Sequence, residues 1–204
     1  MPGRRFGRRR DGVQVRYFGD FPTTTVGGRL VATPAAALAQ ALPELRRRDA
    51  LAVADSALHR GLIGADDLGS VRDAMRGRRG AASIDTWWHL VDGRAESPLE
   101  SFARLECVDL GIPPHELQVV VRTPGGAFVG RCDLGWRLRD GRWLIAEVDG
   151  REWHSSAAAQ AKDQLRQDAL LRSGAVAWLG RFTAHDLSDL PGAVQDARRR
   201  HESA

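Results

Sequence analysis

The stretch Cys132-Asp133-Leu134-Gly135-Trp136-Arg137-Leu138-Arg139-Asp140-Gly141-Arg142-Trp143-Leu144-Ile145-Ala146-Glu147-Val148-Asp149-Gly150-Arg151-Glu152-Trp153-His154 decides how this chain folds. It reads as the end of one strand, a turn across Arg139-Asp140-Gly141, and a second strand from Trp143 to Asp149. Besides Asp140 in the turn, it sets four carboxylates, Asp133, Glu147, Asp149 and Glu152, on the strands and their exit, together with Trp153 and His154. Charge in a strand is costly without a partner, and a divalent metal is the commonest partner for clustered acids.

Two registers are open to the hairpin. Glu147 and Asp149 share a face with Trp143 and Ile145, while Leu144, Ala146 and Val148 point the other way. A two-residue Asp140-Gly141 loop pairs Arg139 with Arg142 and sends Asp133 to the face opposite Glu147. A three-residue Arg139-Asp140-Gly141 loop, with Gly141 left-handed, pairs Leu138 with Arg142 and sets Asp133 across from Glu147, about 5 Å apart at Cβ. Two ionised carboxylates that close repel unless a cation lies between them, so a functional acidic site requires the longer loop. Water on a metal held there can attack phosphorus, and the metal stabilises the charge that develops.

Outward from the hairpin, Ser97-Pro98-Leu99-Glu100 combines a serine N-cap, proline at the first helical position and glutamate at the third, a full capping box. It opens a helix running to Gly111. A strand over Leu117 to Arg122 and the Thr123-Pro124-Gly125-Gly126 turn precede the strand from Phe128 to Leu138. After the hairpin, Ser155-Ser156 caps a helix over Ala157 to Arg172, Val176 to Phe182 is a strand, Thr183 to Asp186 restarts a helix, and Pro191 starts the last one. The order helix, three strands, helix, strand, helix specifies an α/β (α+β) unit, a sheet covered by helices. Residues 96 to 204 are expected to form this α/β domain and residues 1 to 95 a separate N-terminal region.

The N-terminal region is mainly helical after short strands near Val13 to Tyr17 and Thr24 to Val31. Thr33-Pro34 caps a helix through Leu42. A second helix is expected from about Glu44 to His59, with Leu45, Leu51, Ala54 and Leu58 on one face, a third from Asp66 to Met75, and a fourth over Ala81 to Val91 carrying Trp87 and Trp88 as packing residues. No catalytic constellation occurs before residue 95.

A chain of 204 residues with 43% hydrophobic and 27% charged residues has a globular composition and enough length to bury a core. No apolar run approaches the roughly 20 residues of a membrane span, and the arginines before residue 11 lack the apolar segment of an export signal, so a cytoplasmic protein without a membrane partner is expected. The two cysteines, Cys107 and Cys132, are then expected to be buried thiols. The net charge of +4 gives weak support to a polyanionic partner, since Lys162 is the one lysine among 30 basic residues and the excess is all arginine.

The residues from 97 to 190 resemble the PD-(D/E)XK nuclease superfamily, in particular the small actinobacterial-type domain related to the very short patch repair endonucleases. The likeness rests on Ser97-Pro98-Leu99-Glu100, on Asp133, on Glu147-Val148-Asp149-Gly150-Arg151-Glu152-Trp153-His154, on the polar helix Lys162-Asp163-Gln164-Leu165-Arg166, and on Arg181-Phe182-Thr183 with Asp186-Leu187. Residues 13 to 95 resemble, less specifically, an abortive-infection antitoxin-like helical region. The resemblance implies a restriction-endonuclease-like central mixed sheet flanked by helices and a metal-dependent DNA endonuclease, in repair or defence, using Mg²⁺ or Mn²⁺. It implies Asp133 as principal metal ligand, Glu147 as the second acid and Glu100 as a helix-borne carboxylate facing the metal. His154 becomes a candidate proton donor or acceptor, and Trp153, Arg151, Lys162 and Arg166 become DNA contacts.

One departure matters. Asp149 stands where most of the superfamily keeps a lysine, so charge stabilisation falls to the metal, to His154, or to Lys162 or Arg166 on the following helix. Other roles stay open: Glu100 as a helix cap, His154 as a hydrogen bonder at the helix entry, Lys162 and Arg166 as a solvated face, and Asp149 paired with Arg131 or Arg151. The alternative function is a DNA-binding regulator or antitoxin-like module that uses the same fold without turnover. Double-strand cleavage would favour a homodimer, and the N-terminal helices could engage a protein partner.

Overall fold

The computed structural model describes residues 9–10, 13–14, 20–150 and 157–202, with side chains at 20–150 and 161–202. Two short ribbons come first: β1 (Arg9–Arg10) pairs with β2 (Val13–Gln14), and β3 (Thr23–Val26) pairs antiparallel with β4 (Arg29–Ala32). Thr33 Oγ1 then accepts the Ala36 N–H at 3.3 Å and caps α1 (Pro34–Ala41). Pro43 lies in a 3₁₀ turn, Leu42–Glu44, and Leu45 is extended, so α2 (Arg47–His59) begins later than its periodicity suggests and Leu45 is exposed. α3 (Asp67–Ala74) and α4 (Ala81–Asp85) follow. The helix expected through Val91 stops early, because Trp87 leaves helical geometry at φ −132° and buries its ring, and a 3₁₀ turn at Trp88–Leu90 replaces the rest.

Ser97 Oγ accepts the Glu100 N–H at 3.2 Å and opens α5 (Pro98–Asp109). Three antiparallel strands follow, β5 (Glu116–Arg122), β6 (Phe128–Arg137) and β7 (Trp143–Val148). After α6 (Ala157–Arg172), β8 (Val176–Phe182) adds parallel to β7, giving the order β5-β6-β7-β8. A mixed sheet of four strands thus carries α6 on one face and α5 with α7 (Leu190–Glu202) on the other. Thr183 to Asp186 does not restart a helix: the Asp186 carboxylate accepts the Thr183 N–H at 2.5 Å and the Thr183 hydroxyl at 2.8 Å, which closes a turn in place of helical bonds.

The β6–β7 hairpin closes over three residues. Leu138 N–H donates to the Arg142 carbonyl at 2.8 Å, Gly141 N–H donates to the Leu138 carbonyl at 3.0 Å, and Gly141 lies at φ +86°. That left-handed conformation would cost an L side chain about 1–2 kcal/mol and suits glycine. Asp140 Oδ1 accepts the Arg142 N–H at 2.9 Å and steadies the loop. Leu134 pairs with Ala146 and Arg137 with Trp143, so the ladder is in the register that sets Asp133 across from Glu147.

Two apolar cores meet at α5. Ala103 and Cys107 pack with Leu134, Trp136, Leu144 and α7, whereas Leu105 packs with Leu51, Ala54 and Trp87 of the helical region. Between them lies a buried polar knot: Asp55 Oδ2 accepts Ser101 Oγ and Arg104 Nη2, each at 2.7 Å, and its Oδ1 accepts the Asp92 N–H at 2.8 Å. Both thiols are free and buried, and burial pushes each up to about 12.

Candidate functional site

β6 delivers Asp133 to the sheet centre at a point where the facing of the strands inverts. Cys132 and its cross-strand partner Val119 pack under α6, while Leu134 and its partner Leu117 pack under α5 and α7, although each pair of neighbours is two residues apart. Simple alternation would put both members of each pair on one face. The cause sits at Gln118, whose φ of +54° is the one positive value at a non-glycine residue among the described residues. Gln118 falls between Leu117 and Val119, level with Asp133.

Past the Leu134–Ala146 pair, the Asp133 carboxylate takes the place of a ladder acceptor: its Oδ2 receives the Val148 N–H at 2.8 Å. Burial above all, with the charges of Glu100 and Glu147, pushes this carboxyl up to about 6, while the Val148 N–H bond and Arg166 work the other way. Three carboxylates, from α5, β6 and β7, therefore share one electrostatic neighbourhood.

Glu147 is only 7% exposed and lies on the α6 side of β7 with Trp143 and Ile145. Arg166 of α6 meets it, with Nη1 2.6 Å from Glu147 Oε1. The contact is an ion pair that gives this buried carboxylate its counter-charge. Arg166 Nη2 donates to the Arg131 carbonyl at 2.7 Å. The Arg166 side chain thus spans β7 and β6, which removes it from the solvated-face reading.

Glu100 caps α5 and also reaches β5. Its Oε2 accepts the Glu96 N–H at 3.0 Å and the Gln118 Nε2 at 2.9 Å, so the capping box closes one residue before the N-cap serine. Asp149, whose N–H donates to the Phe182 carbonyl at 2.9 Å, pairs with Arg181 at 3.4 Å rather than with Arg131, which holds Glu96 at 2.7 Å. Arg181 also pairs with Asp163 of α6. Lys162 is exposed on α6, one turn from Arg166. Arg151, Trp153 and His154 lie outside the described residues.

Gln118, Arg181 and Asp163 were not singled out as functional by the sequence pattern alone. A glutamine inside the apolar run Leu117 to Val121 and an arginine inside Val176 to Phe182 are the signals that mark the first two. The parallel register that sets Glu147 beside Arg181 supplies the reason for the second.

Among the described residues, no group of three or more His, Cys, Asp or Glu side chains is gathered so as to hold a metal ion. Glu100, Asp133 and Glu147, expected as a ligand set, each have their own donors in this arrangement: Gln118 and the Glu96 N–H, the Val148 N–H, and Arg166. By donor type the residues nevertheless fit a hard divalent cation, since all three offer carboxylate oxygens. The neighbouring Cys132 thiol, protonated at neutral pH, does not compete.

Away from these acids, an apolar groove of about 530 Å³ runs between α1, α2 and the first turn of α5, lined by Leu38, Ala52, Val53, Leu62 and Phe102 among others. Among the described residues no helix is long and apolar enough to cross a membrane. Trp87 and Trp88 stand 6.2 Å apart between ring centroids, with Trp87 buried in the helical core, which makes the pair a packing element.

No family model matches the chain. It is 37% identical over 149 residues to the uncharacterized protein Rv2248 of Mycobacterium tuberculosis strain H37Rv and, equally, to the uncharacterized protein MT2308 of strain CDC 1551. The matched segment is 73% of this chain and 54% of each relative, so the chain spans about half the length of the curated relatives it matches. No solved structure matches.

Proposed function

We propose that this chain is a metal-dependent DNA endonuclease with a restriction-endonuclease-like core, hydrolysing phosphodiester bonds. The observation that carries the reading is the hairpin register that sets Asp133 across from Glu147, with Glu100 close enough for its charge to act on Asp133. The element order α5-β5-β6-β7-α6-β8, with β8 parallel to β7, supports it as well.

In this reading Asp133 and Glu147 hold Mg²⁺ or Mn²⁺, with Glu100 behind them. Bound there, the cation would supply an activated water and stabilise charge at the scissile phosphate. The chain's own side chains do the rest. Arg166, whose guanidinium matches phosphate oxygens as well as carboxylates, exchanges Glu147 for the DNA backbone and takes the part of the lysine that Asp149 displaces. Lys162, one turn away, adds a second cation on the same helix, and His154 and Trp153 remain the candidate proton carrier and base contact.

A second reading, a DNA-binding regulator without turnover, draws support from Asp149, which is engaged with Arg181 where a catalytic lysine is implied. Plasmid nicking in Mg²⁺ separates the two. We expect wild type to nick and Asp133→Ala to lose at least about 100-fold of the rate, the scale of removing a principal charge-stabilising group. Equal residual activity in the two proteins rejects the nuclease reading, and retained salt-sensitive DNA binding would then favour the regulator.

A further inference from the structure

We infer that Gln118 is a positioning residue of the acidic site: its carboxamide commits one oxygen of Glu100 to the protein and leaves the other for a cation shared with Asp133. The inference rests on the metal-dependent reading above and names a residue which that reading does not include. Three observations meet at this position. The backbone of Gln118 is left-handed at φ +54° in the middle of a strand, a conformation that only glycine adopts freely and that asparagine tolerates. The inversion of the sheet's facing, which brings Asp133 to the boundary between the two layers, occurs at this residue. Its Nε2 donates to Glu100 Oε2 at 2.9 Å, and the Glu96 N–H donates to the same oxygen at 3.0 Å.

The choice of residue is the informative part. If the position served only to invert the strand, glycine would do so without backbone cost, as it does at Gly141 on the adjoining hairpin loop. Glutamine bears the strain and adds one thing glycine lacks, a donor that reaches the carboxylate on α5. Strain retained in this way collects where geometry is held for function. Both donors end on Oε2, so Oε1 of Glu100 has no hydrogen bond among the described residues. A carboxylate with one oxygen tied down and the other open is held as a preorganised cation ligand, and partners of this kind commonly set metal affinity.

The test uses the full chain and Mn²⁺ as the probe. Titration calorimetry is run on wild type, Gln118→Gly, Gln118→Met, Gln118→Asn and Asp133→Ala, with urea unfolding of each protein alongside. Gln118→Gly should unfold no earlier than wild type, since the strain is relieved, yet bind Mn²⁺ about tenfold more weakly. Gln118→Met, equal in size and equally strained but without a donor, should show the same loss and serves if the glycine variant does not fold. Gln118→Asn, which keeps a carboxamide, should recover part of the affinity, a rescue that a purely structural role would not produce. Mn²⁺ affinity in Gln118→Gly and Gln118→Met equal to wild type overturns the inference while leaving the metal site standing. Wild-type affinity no tighter than that of Asp133→Ala overturns the metal reading and the inference with it.

Discussion

Asp133 is held in the protein at a cost that its position explains. Its carboxyl, buried and close to Glu100 and Glu147, is pushed from the ordinary 3.8 up to about 6. Between those two pH values the folded chain binds more protons at this site than the unfolded chain, so its contribution to stability is complete below 3.8 and is lost as pH rises through about 6. Above that range the ionised group costs about 3 kcal/mol. Without divalent metal, Asp133→Asn should therefore raise stability by up to about 3 kcal/mol at pH 8 and by little at pH 4, because asparagine keeps an oxygen for the Val148 N–H. Urea unfolding at the two pH values checks this, and an equal gain at both would remove burial of charge as the cause. Asp133 and Glu147 were legible in the sequence since an acid inside an apolar strand stands out. Gln118 was not, because its role depends on a left-handed backbone angle that no spacing encodes.

At the scale of elements, the hairpin loop and α5 place the site. The three-residue loop was legible because Gly141 alone can supply the left-handed residue that the register of Asp133 and Glu147 demands. α5 was legible through its capping box, but its second attachment was hidden. Asp55 lies beside Ala54, which was assigned to the apolar face of α2, and a carboxylate there reads as solvated. In the fold it is fully buried against Ser101 and Arg104 of α5. Burial pushes the Asp55 carboxyl up, and the guanidinium of Arg104 pulls the other way. Asp55→Ala leaves Arg104 buried without its counter-charge and should destabilise the protein by about 3–5 kcal/mol, whereas Ser101→Ala should cost only about 1 kcal/mol. Chemical denaturation of the two variants measures the difference; similar losses would mean that the ion pair is not the tie between the helices.

For the whole molecule, the consequence is that the helical region and the sheet are not independent. α5 contributes Leu105 to one core and Ala103 with Cys107 to the other, and the polar knot of Asp55, Ser101 and Arg104 crosses the same seam. The full chain should unfold in one transition by both tryptophan fluorescence and circular dichroism. A fragment of residues 96–204, which leaves Arg104 and Leu105 uncovered, should be less stable by at least about 3 kcal/mol. A fragment as stable as the full chain would show that the seam carries no energy. The same coupling ties the apolar groove to the acidic site in physical terms, since Phe102 lines the groove and Glu100, two residues earlier on α5, faces Gln118.

The sequence by itself determined what local rules control: the helix starts at Thr33 and Ser97, the three-residue loop at Gly141, the strand pattern of β5 to β8, and the hairpin register that pairs Leu134 with Ala146. Those starts, the loop and the strand pattern follow from caps, turn residues and periodicity, each of which acts within a few residues, whereas the direction of the Asp133 carboxylate follows from the inversion at Gln118. Only the tertiary structure decided that Arg166 meets Glu147, that Arg181 takes Asp149 and Asp163, that Asp55 is buried under α5, and that Gln118 inverts the strand while holding Glu100. Those contacts join residues 18 to 49 positions apart wherever their elements cross. The physical reason is that a charged side chain takes the nearest counter-charge the packed elements leave it, and that choice exists only once the sheet and helices have met.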